Sequence, residues 1–193
     1  DLGAHGASSV LSVGDLGEGL PGPRVASAIA GAVSTGTGPD VVLCGTTYDG
    51  RDVAGRLSAK LDAPVITNVV DLVVDGDRLL GVEPVFGGTT DVTTGFTGAG
   101  TAIFLVRPKS FAAEDAGGAP ATVGAIETGD LGNTAGAVVK NRFVEESSGP
   151  KLDEASIVVA GGRGIGDAEK YEMIETLATL LKGAPGASRA VVD

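Results

Sequence analysis

Three side chains near the carboxyl end of the sequence have the types and spacing to hold an anionic ligand: Arg163, Ser188 and Arg189. Arg163 lies within Gly161-Gly162-Arg163-Gly164-Ile165-Gly166. Glycines at 161, 162, 164 and 166 let the backbone turn tightly and approach a ligand with no Cβ in the way. A guanidinium in such a loop offers two parallel hydrogen bonds to a phosphate. Ser188 and Arg189 place a hydroxyl beside a second guanidinium within Gly186 to Asp193. The chemistry these residues suit is recognition of a phosphate-bearing ligand.

The surrounding elements are those that would position them. Ile157 to Ala160 is an unbroken apolar run rich in β-branched residues, as expected of a strand buried on both faces of a parallel sheet. A helix is expected directly after the glycines, with Tyr171, Ile174, Leu177, Ala178 and Leu181 on one face and Lys182-Gly183 closing it. Strand, glycine loop and helix N-terminus together make an anion site. The spacing departs from G-x-G-x-x-G, since Asp167 stands where the third glycine would be, and no Walker lysine is present. On the loop alone, a ligand site and an ordinary βα turn are both open readings. Gly186 to Asp193 reads as a further strand-like segment, and at the carboxyl edge of a parallel sheet the two loops would converge.

Val159-Ala160-Gly161-Gly162-Arg163-Gly164, followed after one helix by Gly186-Ala187-Ser188-Arg189-Ala190-Val191-Val192-Asp193, resembles the opening of the FAD-binding domain of electron transfer flavoprotein alpha subunits. The resemblance implies that Arg163 and Ser188 contact FAD at its pyrophosphate or ribityl region. It implies that Arg189 lies against the flavin ring, where a fixed cation would stabilise the anionic reduced flavin. The family's remaining FAD contacts lie in segments beyond Asp193. By the same resemblance the chain is an electron carrier with no catalytic residues, paired as a heterodimer with a beta subunit that carries AMP. Acyl-CoA and related dehydrogenases of fatty acid β-oxidation would be its donors and a membrane quinone oxidoreductase its acceptor. Its place would be the cytoplasm of a bacterium or the mitochondrial matrix.

Composition sets independent limits. The 193 residues have room for one ordinary domain and part of another. Glycine, 32 of 193, is more than twice its usual share of about 7%, while 42% apolar residues keep the chain in the globular class. A formal charge of −11 without a basic cluster argues against nonspecific nucleic-acid or anionic-membrane binding. Cys44 stands alone and forms no internal disulfide. No run approaches the roughly 20 apolar residues of a membrane span, and Asp1 to Gly6 has no signal-peptide character. The expectation is a soluble intracellular protein.

The amino-terminal part alternates strands and helices. Strands are expected at Ser9 to Val13 and Val41 to Cys44. Helices are expected with Val25, Ile29 and Val33 on one face, and from Asp49-Gly50 with Val53, Leu57 and Leu61, ended by Pro64. Such alternation implies a parallel sheet. The Gly45 to Gly50 loop is a second place for a phosphate, although Asp49 and Asp52 read there as helix caps. From Val65 the period becomes two: Val65 to Val74 and Arg78 to Phe86 flank the turn Asp75-Gly76-Asp77, and Thr89 to Phe96 and Thr101 to Val106 follow. Gly55 to Leu61 and Phe86-Gly87-Gly88 resemble the same family's amino-terminal domain, which there has a nucleotide-binding fold but binds no nucleotide.

The fold class expected is therefore α/β. Residues 1–150 form a nucleotide-binding-like domain with a mostly parallel sheet and an added hairpin region, and residues 151–193 form the first βαβ unit of a Rossmann-like FAD-binding domain. Ser110 to Pro120 reads as a loop, Val138 to Val144 as a strand and Glu145 to Pro150 as the linker. The resemblance also implies a strand and helix ahead of Gly6, so open sheet edges and a longer parent protein are expected. His5, the single histidine, builds neither a zinc site nor a catalytic triad. Two other readings remain: an NAD-binding or other nucleotide-binding oxidoreductase using the Gly161 to Gly166 loop, and a regulatory module holding ATP or AMP at Gly45 to Gly50.

Overall fold

The structure, a computed structural model, describes residues 2–132, 137–141, 143, 150–152 and 154–192. The chain divides into two compact units, residues 1–140 and 141–193. In the first, strand β1 (Ser9–Ser12) precedes helix α1 (Pro21–Ser34), strand β2 (Val41–Gly45) and helix α2 (Tyr48–Leu61). Strands β3 (Val65–Val69), β4 (Asp71–Asp75), β5 (Arg78–Val85), β6 (Thr90–Thr94), β7 (Ala102–Val106) and β8 (Thr122–Ala125) follow.

The sheet is built on β7, which pairs in parallel with β2 on one side and β3 on the other. Its sequence, Ala102-Ile103-Phe104-Leu105-Val106, is apolar at every position, because both faces are covered. Ile103 and Leu105 pack with Val42, Ala54 and Leu57 under the helices. Phe104 packs the other way with Ile66 and Val69. That second face is roofed by β4, β5 and β6, an antiparallel meander. A Cβ on Gly81 of β5 would lie 3.0 to 3.3 Å from Val69, Ile66 and Phe104, so the meander sits this close only with glycine there.

Several expectations are corrected here. The extended run Val65 to Val74 is two strands, because Asn68 turns to a positive φ of 58° and the ladder shifts register between Ile66 and Val69. Helix α2 is capped by Thr47, whose Oγ1 accepts the Gly50 N–H at 3.0 Å, and not by Asp49 or Asp52. Thr47 has the extended backbone a cap requires, whereas Asp49 is already helical and Asp52 accepts from Arg56 Nε at 2.9 Å. In α1 the stripe against the core is Ala26, Ile29 and Ala30, offset from Val25 and Val33. Small residues on that stripe let α1 lie close to α2.

Strand β8 was not foreseen. It pairs in parallel with β1, and neither joins the β2–β7–β3 ladder. The described part of Val138 to Val144 forms no strand; the Val139 N–H bonds the Glu18 carbonyl at 3.0 Å, with no ladder beside it. The linker expected over Glu145 to Pro150 lies, apart from Pro150, outside the described residues. Ser110 to Pro120 has no regular structure.

The second unit is a βαβ element. Strands β9 (Val158–Gly161) and β10 (Ala184–Ala187) are parallel neighbours joined through helix α3 (Glu172–Leu180), and a short helix, α4 (Arg189–Val192), follows. The mixed, mainly parallel α/β class read from the sequence is the one found. Among the described residues no helix is long and apolar enough to cross a membrane.

Candidate functional site

The register of β9 and β10 brings the two sequence motifs together. Val158 stands beside Ala184 and Gly161 beside Ala187, so both strands end at one level and their loops leave the same edge. The Ser188 N–H donates to the Gly161 carbonyl at 2.9 Å, extending the pairing by one residue. A Cβ on Gly162 would come to 3.6 Å from Ser188 Oγ. Gly161 is required for a different reason: a Cβ there would run into Ile165 and press on Tyr171 and Ile174.

The loop itself is a tight turn over Arg163–Ile165, in which the Ile165 N–H bonds the Gly162 carbonyl at 3.0 Å and the Gly166 N–H bonds Arg163 at 3.2 Å. Gly166 takes a φ of 88°, open to glycine at little cost. A second short turn, Ala168–Tyr171, precedes α3. The helix therefore does not follow the glycines directly. Gly166 and the extended Asp167 break the path, and α3 starts only at Glu172, with Glu172 and Glu175 in its first turn. Those carboxylates already complement the positive end of the helix dipole, so the anion-binding capacity of this loop rests on Arg163, Ser188 and the glycine backbone.

A cleft of about 230 Å³ opens here, lined by Gly162, Arg163, Gly166, Asp167, Tyr171 and Val191 among others. Arg163 is exposed in it and pairs with no carboxylate among the described residues. Ser188 adjoins the loop at Gly162 but is not part of the cleft wall; Arg189 is exposed on α4. The expected strand over Gly186 to Asp193 is thus a strand ending at Ala187 and then a helical turn, closed by the Val191 N–H on the Ser188 carbonyl at 2.8 Å. The turn carries Ala190 and Val191 back over the cleft. The left-handed residue after α3 is Lys182, φ 54°, rather than Gly183. Gly183 is needed for packing, since a Cβ there would lie 2.5 Å from the Ile157 carbonyl oxygen.

Other candidates are placed as follows. A larger hollow of about 880 Å³ runs along α3; Met173, Leu177 and Leu180 make much of its wall apolar, with Glu169, Lys170 and Glu172 also lining it. His5 Nδ1 donates to the Glu114 carbonyl at 2.7 Å, a structural tie. Cys44 is half-buried in β2, and burial pushes its thiol above the ordinary 9.0. Among the described residues no group of three or more His, Cys, Asp or Glu is placed to hold a metal.

Family models match both parts of the chain. Residues 1–131 match the family described as "Electron transfer flavoprotein domain" and residues 151–193 match "Electron transfer flavoprotein FAD-binding domain". The electron transfer flavoprotein subunit alpha of Mycobacterium leprae is 36% identical over 171 residues, covering 86% of this chain and 50% of that protein. The mitochondrial subunit alpha of Arabidopsis thaliana is 32% identical over 160 residues, covering 79% and 43%. Protein FixB of Clostridium saccharobutylicum is 28% identical over 195 residues, covering all of this chain and 58% of its own length. The chain thus spans about half the length of the curated relatives it matches. With a matched family over each of its two motif-bearing segments, this chain belongs to the electron transfer flavoproteins and is of the alpha-subunit type.

Proposed function

We propose that this chain binds FAD through Arg163, Ser188 and Arg189 and acts as an electron carrier rather than an enzyme with its own turnover. The observation that supports this most is the shared level of the β9 and β10 ends, which puts Arg163 in the cleft and Ser188 against Gly162. The donor set fits an anionic, hydroxylated cofactor: one guanidinium that pairs with no acid among the described residues, one hydroxyl, and a glycine loop beside them. A cleft of about 230 Å³ is smaller than a whole cofactor pocket, typically about 300 to 1,000 Å³, so these residues hold one part of FAD. Arg163 donates to phosphate oxygens and Ser188 donates its hydroxyl beside them. Arg189 supplies positive charge that favours negative charge on a neighbouring ring. Bound FAD supplies the one- and two-electron chemistry.

In this reading the chain pairs with a beta subunit that carries AMP, receives electrons from acyl-CoA and related dehydrogenases, and delivers them to a membrane quinone oxidoreductase. It works in the bacterial cytoplasm or the mitochondrial matrix. The test is purification of the alpha protein with a beta subunit, followed by release and quantification of bound small molecules. FAD bound to the pair and lost on Arg163→Ala supports the reading. A pair that holds no flavin, or that holds NAD in its place, sinks it.

A further inference from the structure

A second polar hollow lies in the first unit, at the carboxyl ends of β2, β3 and β7. It measures about 600 Å³, and its wall includes Thr46, Arg51, Asn68, Gly87, Gly88 and Arg107. Among the described residues no carboxylate lines it. Arg51 comes from the first turn of α2 and Arg107 from the residue after β7. Among the described residues neither guanidinium pairs with an acid.

Acids outnumber Lys and Arg by 25 to 14, and among the described residues Arg56 pairs with Asp52, Arg78 with Asp75 and Lys170 with Asp167, whereas Arg51 and Arg107 share one hollow with no acid in its lining. Two guanidiniums on one concave wall repel each other unless an anion lies between them. The wall is also prepared for a ligand. Gly87 and Gly88 adopt φ of 71° and 87°, and a Cβ on either would meet nothing within 4 Å, so the floor is bare backbone. Asn68, held in the left-handed region, donates Nδ2 to the Pro84 carbonyl at 3.1 Å and keeps its Oδ1 as an acceptor. Thr46 is fixed by its hydroxyl on the Val106 carbonyl at 2.9 Å. Location agrees as well: ligands of open parallel sheets collect beyond the carboxyl ends of the strands.

We propose that this hollow binds a phosphate monoester, its dianion bridged by Arg51 and Arg107 and the rest of the molecule lying along Asn68 and the Gly87-Gly88 floor. The site is independent of the flavin reading, since all its residues belong to the other unit.

The test is calorimetric titration of the intact protein at low salt with two probes, inorganic phosphate and ribose 5-phosphate. At least one should bind, with affinity falling about tenfold or more in Arg51→Gln and in Arg107→Gln, as loss of a charged hydrogen bond predicts. Equal affinity for both probes means that the phosphate alone is read; tighter ribose 5-phosphate means that the hollow also takes the organic part. Arg51→Lys, which keeps the charge, should retain part of the binding. Failure of both probes to bind, or binding unchanged in both glutamine variants, overturns the proposal. Flavin content of the glutamine variants should match the parent, which separates failure here from failure of the FAD reading. Both arginines are exposed, and a melting curve for each variant checks that the fold survives; if one variant unfolds, the other carries the test.

Discussion

Gly162 and Ser188 face each other across the carboxyl end of the β9–β10 pair, with 3.6 Å between Ser188 Oγ and the point where a Gly162 Cβ would lie. Gly162 has φ −128° and ψ −175°, extended backbone that any residue adopts. Its glycine is therefore not needed for conformation, and what it preserves is space. Gly162→Val should leave the melting temperature within a few degrees of the parent, a surface-type change of roughly 0.5 kcal/mol. It should lower FAD affinity by about tenfold, because the branched side chain fills the gap that a ligand would enter. Flavin retention on gel filtration, read beside the melting curve, decides it; full retention would mean that the gap is not part of the site.

Two other glycines should respond in opposite directions. Gly81→Ala places a methyl 3.0 to 3.3 Å from Val69, Ile66 and Phe104 in the buried core, and such overpacking costs about 1 to 3 kcal/mol. Gly55→Ala lies in the exposed interior of α2 with nothing within 4 Å of the new Cβ, where alanine stabilises by about 0.5 to 1 kcal/mol. Urea unfolding of both variants measures the difference. Equal effects would mean that the meander does not press on Phe104 as the structure has it.

The contrast between those glycines also marks what was legible in the sequence. Thr101 to Val106 was legible as a strand, though as part of the period-two run and not as the central parallel strand it forms between β2 and β3, and α2 was legible because Val53, Leu57 and Leu61 repeat at helical spacing. Residues Ala190-Val191-Val192 read as strand because β-branched residues favour it, yet they form a helical turn, since the Ser188 carbonyl captures the Val191 N–H once Ser188 has ended its pairing with Gly161. That outcome depends on a contact nearly thirty residues away in sequence, which local pattern does not carry. Strand β8 was missed for a similar reason: Thr122-Val123-Gly124-Ala125 is weak by itself and is defined by β1 beside it. At the site, residue types and order were visible from the motifs. The interruption between loop and α3 was not, because it turns on the backbone of Gly166 and Asp167.

The cap of α2 is a third test. Thr47 Oγ1 accepts the Gly50 N–H at 3.0 Å, one of the helix's otherwise unsatisfied donors. Thr47→Ala should cost about 1 kcal/mol and Thr47→Ser much less. Asp49→Ala, which removes no cap, should fall well below that in the same denaturation series. A larger loss at Asp49 than at Thr47 would restore the carboxylate as the capping group.

Cys44 gives a pH dependence with a definite sign. Burial disfavours the thiolate and raises the thiol above 9.0 in the folded chain. The folded state thus keeps its proton to higher pH than the unfolded chain does. The associated stability is fully present below about pH 9 and is lost as pH rises through the folded value. Stability measured from pH 7 to pH 10.5 should fall on the alkaline side, and Cys44→Ala should flatten that limb relative to the parent. An identical alkaline limb in both proteins would assign the loss to other groups.

Arg189 bears on the proposed electron-carrying role. It sits at the start of α4, one residue beyond Ser188, on the edge where both glycine loops end. A fixed cation there favours the flavin form with the greater negative charge, so its removal should make the cofactor harder to reduce. In the assembled protein Arg189→Ala should lower the flavin midpoint potential by on the order of 50 mV, equivalent to about 1 kcal/mol for one electron. Arg189→Lys should recover part of the shift, because the charge returns without the planar fork. Redox titration followed by flavin absorbance measures this, with flavin content determined in parallel. A lowered content at unchanged potential would make Arg189 a binding residue only, and an unchanged potential at full content would remove it from both roles.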